Sequence, residues 1–137
     1  MFIVLACSPK VLDTDDGVQL MLEIVRRYPK ECVFATNYNK IRKLVESEGK
    51  KCLYFFTIGA FRNRKDAFMD MARRMMEPAT HLHAIVEEGG VVKTACLLVM
   101  EYQRQHPGYF MEITFKTPTG MRTISLDEMK RMARWML

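Results

Sequence analysis

Residues 1–36, MFIVLACSPKVLDTDDGVQLMLEIVRRYPKECVFAT, decide the fold class. The apolar run from Met1 to Cys7 is typical of a strand that is buried on both faces. A helix is predicted to begin at its cap, Thr14, and to end before Pro29, because proline disfavours the helical conformation in the residue that precedes it. The apolar and β-branched residues from Cys32 to Thr36 then predict a second strand. The order strand, helix, strand with short connections predicts two parallel strands joined by a helix.

The helix in this unit has an acidic start and an apolar stripe. Asp15 and Asp16 place negative charge in its first turn, where the helix dipole favours it. The apolar positions recur at helical spacing and are Val18, Met21, Leu22, Val25 and Tyr28. Asp13 and Asp15 also resemble the pair of aspartates, one residue apart, that serves as nucleophile and acid in a family of magnesium-dependent phosphatases. The pattern departs from that family, because only two apolar residues precede Asp13, and helix capping is the simpler interpretation.

The alternation continues through the first half of the chain. Asn39 is a candidate cap for a helix over Lys40 to Glu48, and Gly49 ends that helix. Cys52 to Ile58 is rich in aromatic and β-branched residues and predicts a third strand. Residues 63–77 predict a third helix, because their apolar residues recur at helical spacing. An α/β fold follows, with an N-terminal βαβαβα sheet layer.

The second half is of a different type. His81 to Glu88 fits either a strand or a short helix, and Val91 to Gln105 predicts a helix. Phe110 to Ile124 predicts a β-hairpin that turns at Thr117 to Gly120. Ser125 begins a capping-box pattern, which predicts a C-terminal helix. The C-terminal half is therefore α+β, and we expect residues 1–137 to form a single compact domain.

A second interpretation of this half is a winged helix. Helices over residues 80–88 and 91–105, followed by the hairpin, have the order of elements found in that DNA-binding fold. The outward side chains of the second helix argue against it, because they are a poor set for reading base edges. They are Lys93, Thr94, Leu97, Glu101 and Arg104.

Composition excludes several classes of protein. Hydrophobic residues make up 49% of the 137 residues and charged residues 27%, a globular balance that argues against disorder. No apolar run approaches the roughly 20 residues that a membrane span needs, and Met1 to Cys7 lacks the features of a signal peptide. We therefore expect a cytoplasmic protein with no membrane role. Its four cysteines form no C-x-x-C pair, and we interpret them as small buried hydrophobic residues.

Charge is distributed unevenly along the chain. The formal charge is +5, and residues 26–75 contain thirteen Lys or Arg against five acidic residues. Such a segment attracts phosphates, although basic residues at helix C-termini also offset the helix dipole. The sequence predicts phosphate contacts from seven of these cations, which are Arg42, Lys43, Arg62, Arg64, Lys65, Arg73 and Arg74. In a parallel sheet the basic clusters divide between two opposite edges, because some precede strands and others follow them.

Catalytic signatures are absent from the sequence. It contains no glycine-rich nucleotide loop, P-loop or nucleophile elbow. His81 and His83, with Cys96 or His106, are candidate zinc ligands, but no second closely spaced pair of ligands supports them. We therefore expect no metal, no cofactor and no catalytic set, and favour a binding protein over an enzyme.

Three functional hypotheses follow. The first is a nucleic-acid-associated protein that uses the seven cations. The second is a protein-interaction or inhibitor module, of viral or mobile-element origin, with no nucleic-acid role. The third is a small enzyme whose site lies at the carboxyl edge of the sheet, near Ser8 and Asp13.

Overall fold

A six-stranded mixed sheet organises the molecule. The computed structural model describes residues 1–54, 79–87, 103–125 and 127–131. The strands have the order β3-β2-β1-β4-β5-β6, and all neighbours are parallel except β5 and β6. In chain order the elements are β1 (Phe2–Cys7), α1 (Asp15–Arg27), β2 (Val33–Thr36), α2 (Asn39–Ser47), β3 (Cys52–Tyr54), β4 (His81–Glu87), β5 (Phe110–Thr117) and β6 (Gly120–Ile124). The predicted α/β class is confirmed.

The first βαβ unit forms as its sequence predicts. The Thr14 hydroxyl accepts a hydrogen bond from the amide of Gly17 at 3.2 Å, and this caps α1. Helix α1 ends at Arg27, two residues before Pro29. A short 3-10 turn over Pro9–Asp13 connects β1 to the cap. The aspartates of the phosphatase-like pattern therefore flank a helix cap, and Asp15 lies in the first turn of α1.

Helix α2 begins differently from the prediction. Asn39 is the first helical residue, and the cap is Tyr38, whose carbonyl accepts from the amides of Ile41 and Arg42. The prediction that Asn39 caps the helix is therefore wrong, because the first turn is closed by backbone carbonyls instead of by the side chain. Gly49 follows the helix with a φ of 73°, a conformation that glycine adopts without steric penalty.

Residues 81–87 form β4, which lies between β1 and β5 in the sheet. The helical alternative for this segment is wrong, and with it the winged-helix interpretation. The register pairs Leu5 with His83 and His83 with Glu112, so these three side chains share one face of the sheet. The alternate face carries Leu82, Ala84 and Val86, and all three are buried.

The hairpin and the segment after it match the predicted pattern closely. Strands β5 and β6 are joined by Pro118 and Thr119, and Gly120 has a φ of 139°. The Ser125 hydroxyl accepts from the amide of Glu128 at 3.2 Å, and residues 127–131 are helical. The carboxylate of Glu128 does not complete a capping box. It accepts instead from Arg122 at 3.1 Å.

Helices α1 and α2 cover one face of the β1–β2 half of the sheet. Their contribution to the core comes from Met21, Ile24, Val25, Ile41 and Val45, which pack with Ile3, Leu5, Phe34 and Ile85 of the strands. The predicted third helix over 63–77, residues 55–58 of the third strand and most of the predicted helix over 91–105 lie outside the described residues. Among the helices that are described, none is both long and apolar enough to cross a membrane.

Candidate nucleic-acid interface

The parallel sheet separates the basic clusters into two groups. Arg26, Arg27 and Lys50 precede β2 and β3 and lie at the amino edge, whereas cations that follow β1 and β2 lie at the carboxyl edge. We consider the two edges in turn, because a cation contacts a phosphate only if its charge is not already used within the protein.

Three amino-edge cations, Arg26, Arg27 and Lys50, contact groups of the protein itself. Arg26 makes two hydrogen bonds to Glu48, at 3.1 and 2.8 Å, and this contact lowers the pKa of the carboxyl group. Arg27 pairs with Glu112 at 3.2 Å. The ammonium of Lys50 donates to the carbonyls of Val25 and Tyr28 at 2.5 and 2.6 Å and so caps the C-terminus of α1. These three cations have structural partners.

The carboxyl edge beside β1 and β4 is acidic. Asp13, Asp15 and Asp16 are exposed here, and Glu87 ends β4. Lys40 pairs with Asp13 at 2.8 Å, and the hydrogen bond between them lowers the pKa of the Asp13 carboxyl group. The described lysines beside these acids include Lys10 and Lys40, so this part of the edge offers phosphate no excess of positive charge.

The outer end of the sheet has a different character. The guanidinium of Arg42, on α2, lies 4.9 Å from the ring centroid of Tyr54 on the edge strand β3. Tyr54 is 36% exposed, and Lys43 is exposed next to Arg42 on the helix. Arg42 also lies 3.8 Å from Glu46, a pair in which both side chains face solvent and whose attraction is therefore weak. We call Arg42, Lys43 and Tyr54 the α2–β3 surface.

The structure therefore brings one aromatic residue and two of the seven predicted cations together. The sequence missed Tyr54, which it assigned only to a strand. A partial signal was present in the sequence, because Arg42 lies on the helix that immediately precedes the strand containing Tyr54, and consecutive elements are usually adjacent in space. The other five cations, Arg62, Arg64, Lys65, Arg73 and Arg74, lie outside the described residues.

The two candidate zinc ligands of β4 have other roles. His81 and His83 share one face of the sheet, as a strand requires, and His83 is 1% exposed. The hydroxyl of Tyr28 lies 2.5 Å from Nε2 of His83, and Oε1 of Glu112 lies 3.3 Å from its Nδ1. Cys96 is outside the described part of the chain, within which no three His, Cys, Asp or Glu side chains form a group that would hold a metal ion.

Burial governs the chemistry of this histidine cluster. Desolvation lowers the pKa of His83 to about 4, although Glu112 opposes the shift, so the imidazole is neutral at pH 7. Desolvation also raises the pKa of Tyr28. The Tyr28 ring packs edge-on against His81, His83 and Phe34, with centroids 5.5 to 6.1 Å apart.

Burial also governs the protonation of two cysteine thiols, those of Cys7 and Cys52. Cys7, Cys32 and Cys52 are free. Burial raises the pKa of Cys7 and of Cys52 to about 12, which keeps both thiols protonated near neutral pH. Cys32 is buried, and the other two are partly buried. Cysteines in or beside strands behave in this way as small hydrophobic residues.

Comparison with known proteins adds no relative. No protein-family model, no curated protein and no solved structure matches the chain.

Proposed function

We propose that the protein binds nucleic acid by contacting phosphates from the α2–β3 surface and from the basic residues that follow it in the sequence. The observation that carries the proposal is the placement of Arg42 over the exposed ring of Tyr54. An arginine beside an aromatic ring offers a phosphate contact and a stacking surface within one side-chain length. Arg62, Arg64 and Lys65 follow β3 in the sequence.

Two further features support this location over others. Three cations of the amino edge, Arg26, Arg27 and Lys50, are engaged by Glu48, Glu112 and backbone carbonyls. The carboxyl edge near β1 carries exposed acids. At the outer end of the sheet, by contrast, Arg42 and Lys43 face solvent, and the acid that pairs with Arg42, Glu46, is itself exposed and attracts it weakly.

The test is binding of fluorescently labelled, mixed-sequence single-stranded and duplex DNA and RNA across a salt series. The variant R42A/K43A removes two proposed contacts, and R62A/R64A/K65A removes three. For single strands, each phosphate contact contributes roughly 0.7 to the steepness with which log affinity falls with log salt. This slope should therefore become less steep by about 1.4 in R42A/K43A and by about 2 in R62A/R64A/K65A.

The matched control is K30A/K51A. It also removes two exposed lysines, but from the amino edge. We expect its affinity to stay within about twofold of that of the unmodified protein. Equal losses in the control and in R42A/K43A indicate a general charge effect and refute the proposed surface. Absence of binding at about 50 mM salt, where phosphate contacts are strong, refutes the function itself. A partner captured from lysate that survives nuclease treatment supports the protein-interaction alternative.

A second candidate function, a small enzyme, has one topological observation in its favour. The strand order reverses between β1 and β4, and ligands of α/β proteins bind outside the carboxyl ends of the strands at such a point. Ser8 and Glu87 lie there, and the Ser8 hydroxyl accepts from the amide of Glu87 at 3.4 Å. Native mass spectrometry of the purified protein tests this candidate. A bound nucleotide or metal ion supports it, and a bare protein mass counts against it.

A further inference from the structure

A closed circuit of polar contacts connects three elements around His83. The circuit runs from Tyr28, which follows α1, to His83 on β4, then to Glu112 on β5, and returns to α1 through Arg27. Oε1 of Glu112 lies within 3.3 Å of both Arg27 Nη1 and His83 Nδ1. Because Arg27 and Tyr28 are adjacent, the circuit fixes one end of one helix to two neighbouring strands.

The partners of His83 determine the position of its proton. An ionised Glu112 only accepts hydrogen bonds, so Nδ1 of His83 must carry the hydrogen that faces it. Nε2 is then unprotonated and accepts from the hydroxyl of Tyr28. The neutral imidazole satisfies both partners at once. A protonated imidazole carries a hydrogen on both nitrogens, so the Tyr28 hydroxyl must turn from donor to acceptor, and a positive charge then lies on a side chain that is 1% exposed.

We propose that the Tyr28–His83–Glu112–Arg27 circuit is a proton-operated latch that holds the C-terminal end of α1 against β4 and β5 while His83 is neutral and releases it when His83 is protonated. The release follows from burial, because the ring of His83 is 1% exposed. Protonation places a charge there, away from water, and the carboxylate that faces it, Glu112, is shared with Arg27, so the closed state is disfavoured. Solvent reaches His83 once the helix end moves away, so the open state accepts the proton more readily.

The groups that face His83 oppose one another. Glu112, on β5, favours the protonated ring, whereas Arg27 in the last turn of α1 and His81 on β4 disfavour it. Tyr28 adds no charge at pH 7, since its ordinary pKa of 10.0 is raised further by burial. Desolvation is the largest effect, and it lowers the pKa of His83 to about 4 from an ordinary value of 6.5. The open form therefore binds the proton more tightly, and acid favours opening.

Hydrogen exchange of the unmodified protein measures the latch directly. With pKa values of about 4 closed and 6.5 open, the protection factors of the Ile24 to Arg27 amides should fall about 20-fold between pH 7 and pH 5. Amides of α2, such as that of Val45, should lose less than threefold and serve as the internal control. Equal losses in the two helices refute a local latch, because they indicate global destabilisation.

The variant H83Q provides the matched control. A glutamine amide accepts from Tyr28 and donates to Glu112 as the neutral imidazole does, but it does not titrate in this range. The latch predicts that H83Q keeps the protection of α1 at pH 7 and removes the pH-dependent loss. The same loss in H83Q as in the unmodified protein refutes the role of His83.

If H83Q does not fold, nitrogen chemical shifts of His83 in the unmodified protein decide the question. Shifts that show a protonated Nδ1 and an unprotonated Nε2, in an imidazole that titrates well below pH 6, support the latch. Titration of His83 at or above pH 6.5 refutes it.

Discussion

Replacing Gly17 with alanine will destabilise the protein, although alanine is the better helix former. Gly17 is buried in the first turn of α1. A Cβ atom built on it would lie 2.0 Å from the carbonyl oxygen of Val11 and 2.8 Å from both the carbonyl carbon and Cγ1 of that residue. These separations are far shorter than van der Waals contact, so either the helix or the preceding 3-10 turn must move.

The Val11 carbonyl has little freedom to move away. It accepts from the Thr14 hydroxyl at 2.7 Å, and the same hydroxyl caps α1 through the Gly17 amide. Displacing the carbonyl therefore weakens the cap as well. Overpacking costs typically up to about 3 kcal/mol and a lost cap about 1 kcal/mol, while the change from glycine to alanine returns about 1 kcal/mol of helix propensity. We expect a net loss of about 3 kcal/mol in the free energy of unfolding.

Urea unfolding followed by far-ultraviolet circular dichroism measures this loss. The control is Q19A, because Gln19 is exposed in the same helix and its replacement changes only propensity. We expect the unfolding midpoint of Q19A to stay close to that of the unmodified protein and that of G17A to fall well below it at an unchanged slope. A midpoint for G17A equal to or above that of the unmodified protein would show that the close approach of α1 to the 3-10 turn is not rigid, and would refute the reasoning.

Three further predictions follow from single contacts. T14A should lose about 1 kcal/mol of stability in urea unfolding because it removes the cap of α1, whereas T14S, which keeps the hydroxyl, should retain most of it. K50M should lose about 1–2 kcal/mol of stability, because two carbonyls at the end of α1 lose the ammonium that donates to them. The control K51M, at an exposed neighbouring position, should change stability by less than about 0.5 kcal/mol. Equal effects of the two variants would show that Lys50 does not cap the helix. Cys7 and Cys52 should react with iodoacetamide at pH 8 far more slowly in the native protein than in urea, because the thiolate is the reactive form and burial raises the pKa of both thiols to about 12. Mass spectrometry of the peptides measures the two rates. Comparable rates in the native protein and in urea would contradict the burial of these thiols.

Local sequence signals predicted the elements of residues 1–54 well. The cap at Thr14, the end of α1 before Pro29 and the turn at Gly49 depend on contacts between residues within about four positions of one another. Such contacts are visible in sequence spacing. The one local error, the cap at Asn39, arose where the backbone closes the first turn without a side chain.

The arrangement of side chains at the candidate sites was not visible in the same way. The basic composition of residues 26–75 indicated Arg42 as a candidate, but not its position over Tyr54. Composition also did not separate Arg42 from Arg26, Arg27 and Lys50, which contact Glu48, Glu112 and two carbonyls. Arginines and lysines of the same basic segment differ in their contacts, because those contacts are made with residues of other elements.

The sequence by itself determined that strands and helices alternate, where α1 begins and ends, and that the chain carries excess positive charge in its middle third. Only the tertiary structure decided that residues 81–87 enter the sheet beside β1, and that His83 meets partners 55 and 29 residues away. The reason is physical. Caps and periodicity are satisfied within one or two turns of chain, whereas strand order is selected by how the apolar faces of distant segments bury one another, and no short stretch of sequence encodes that choice.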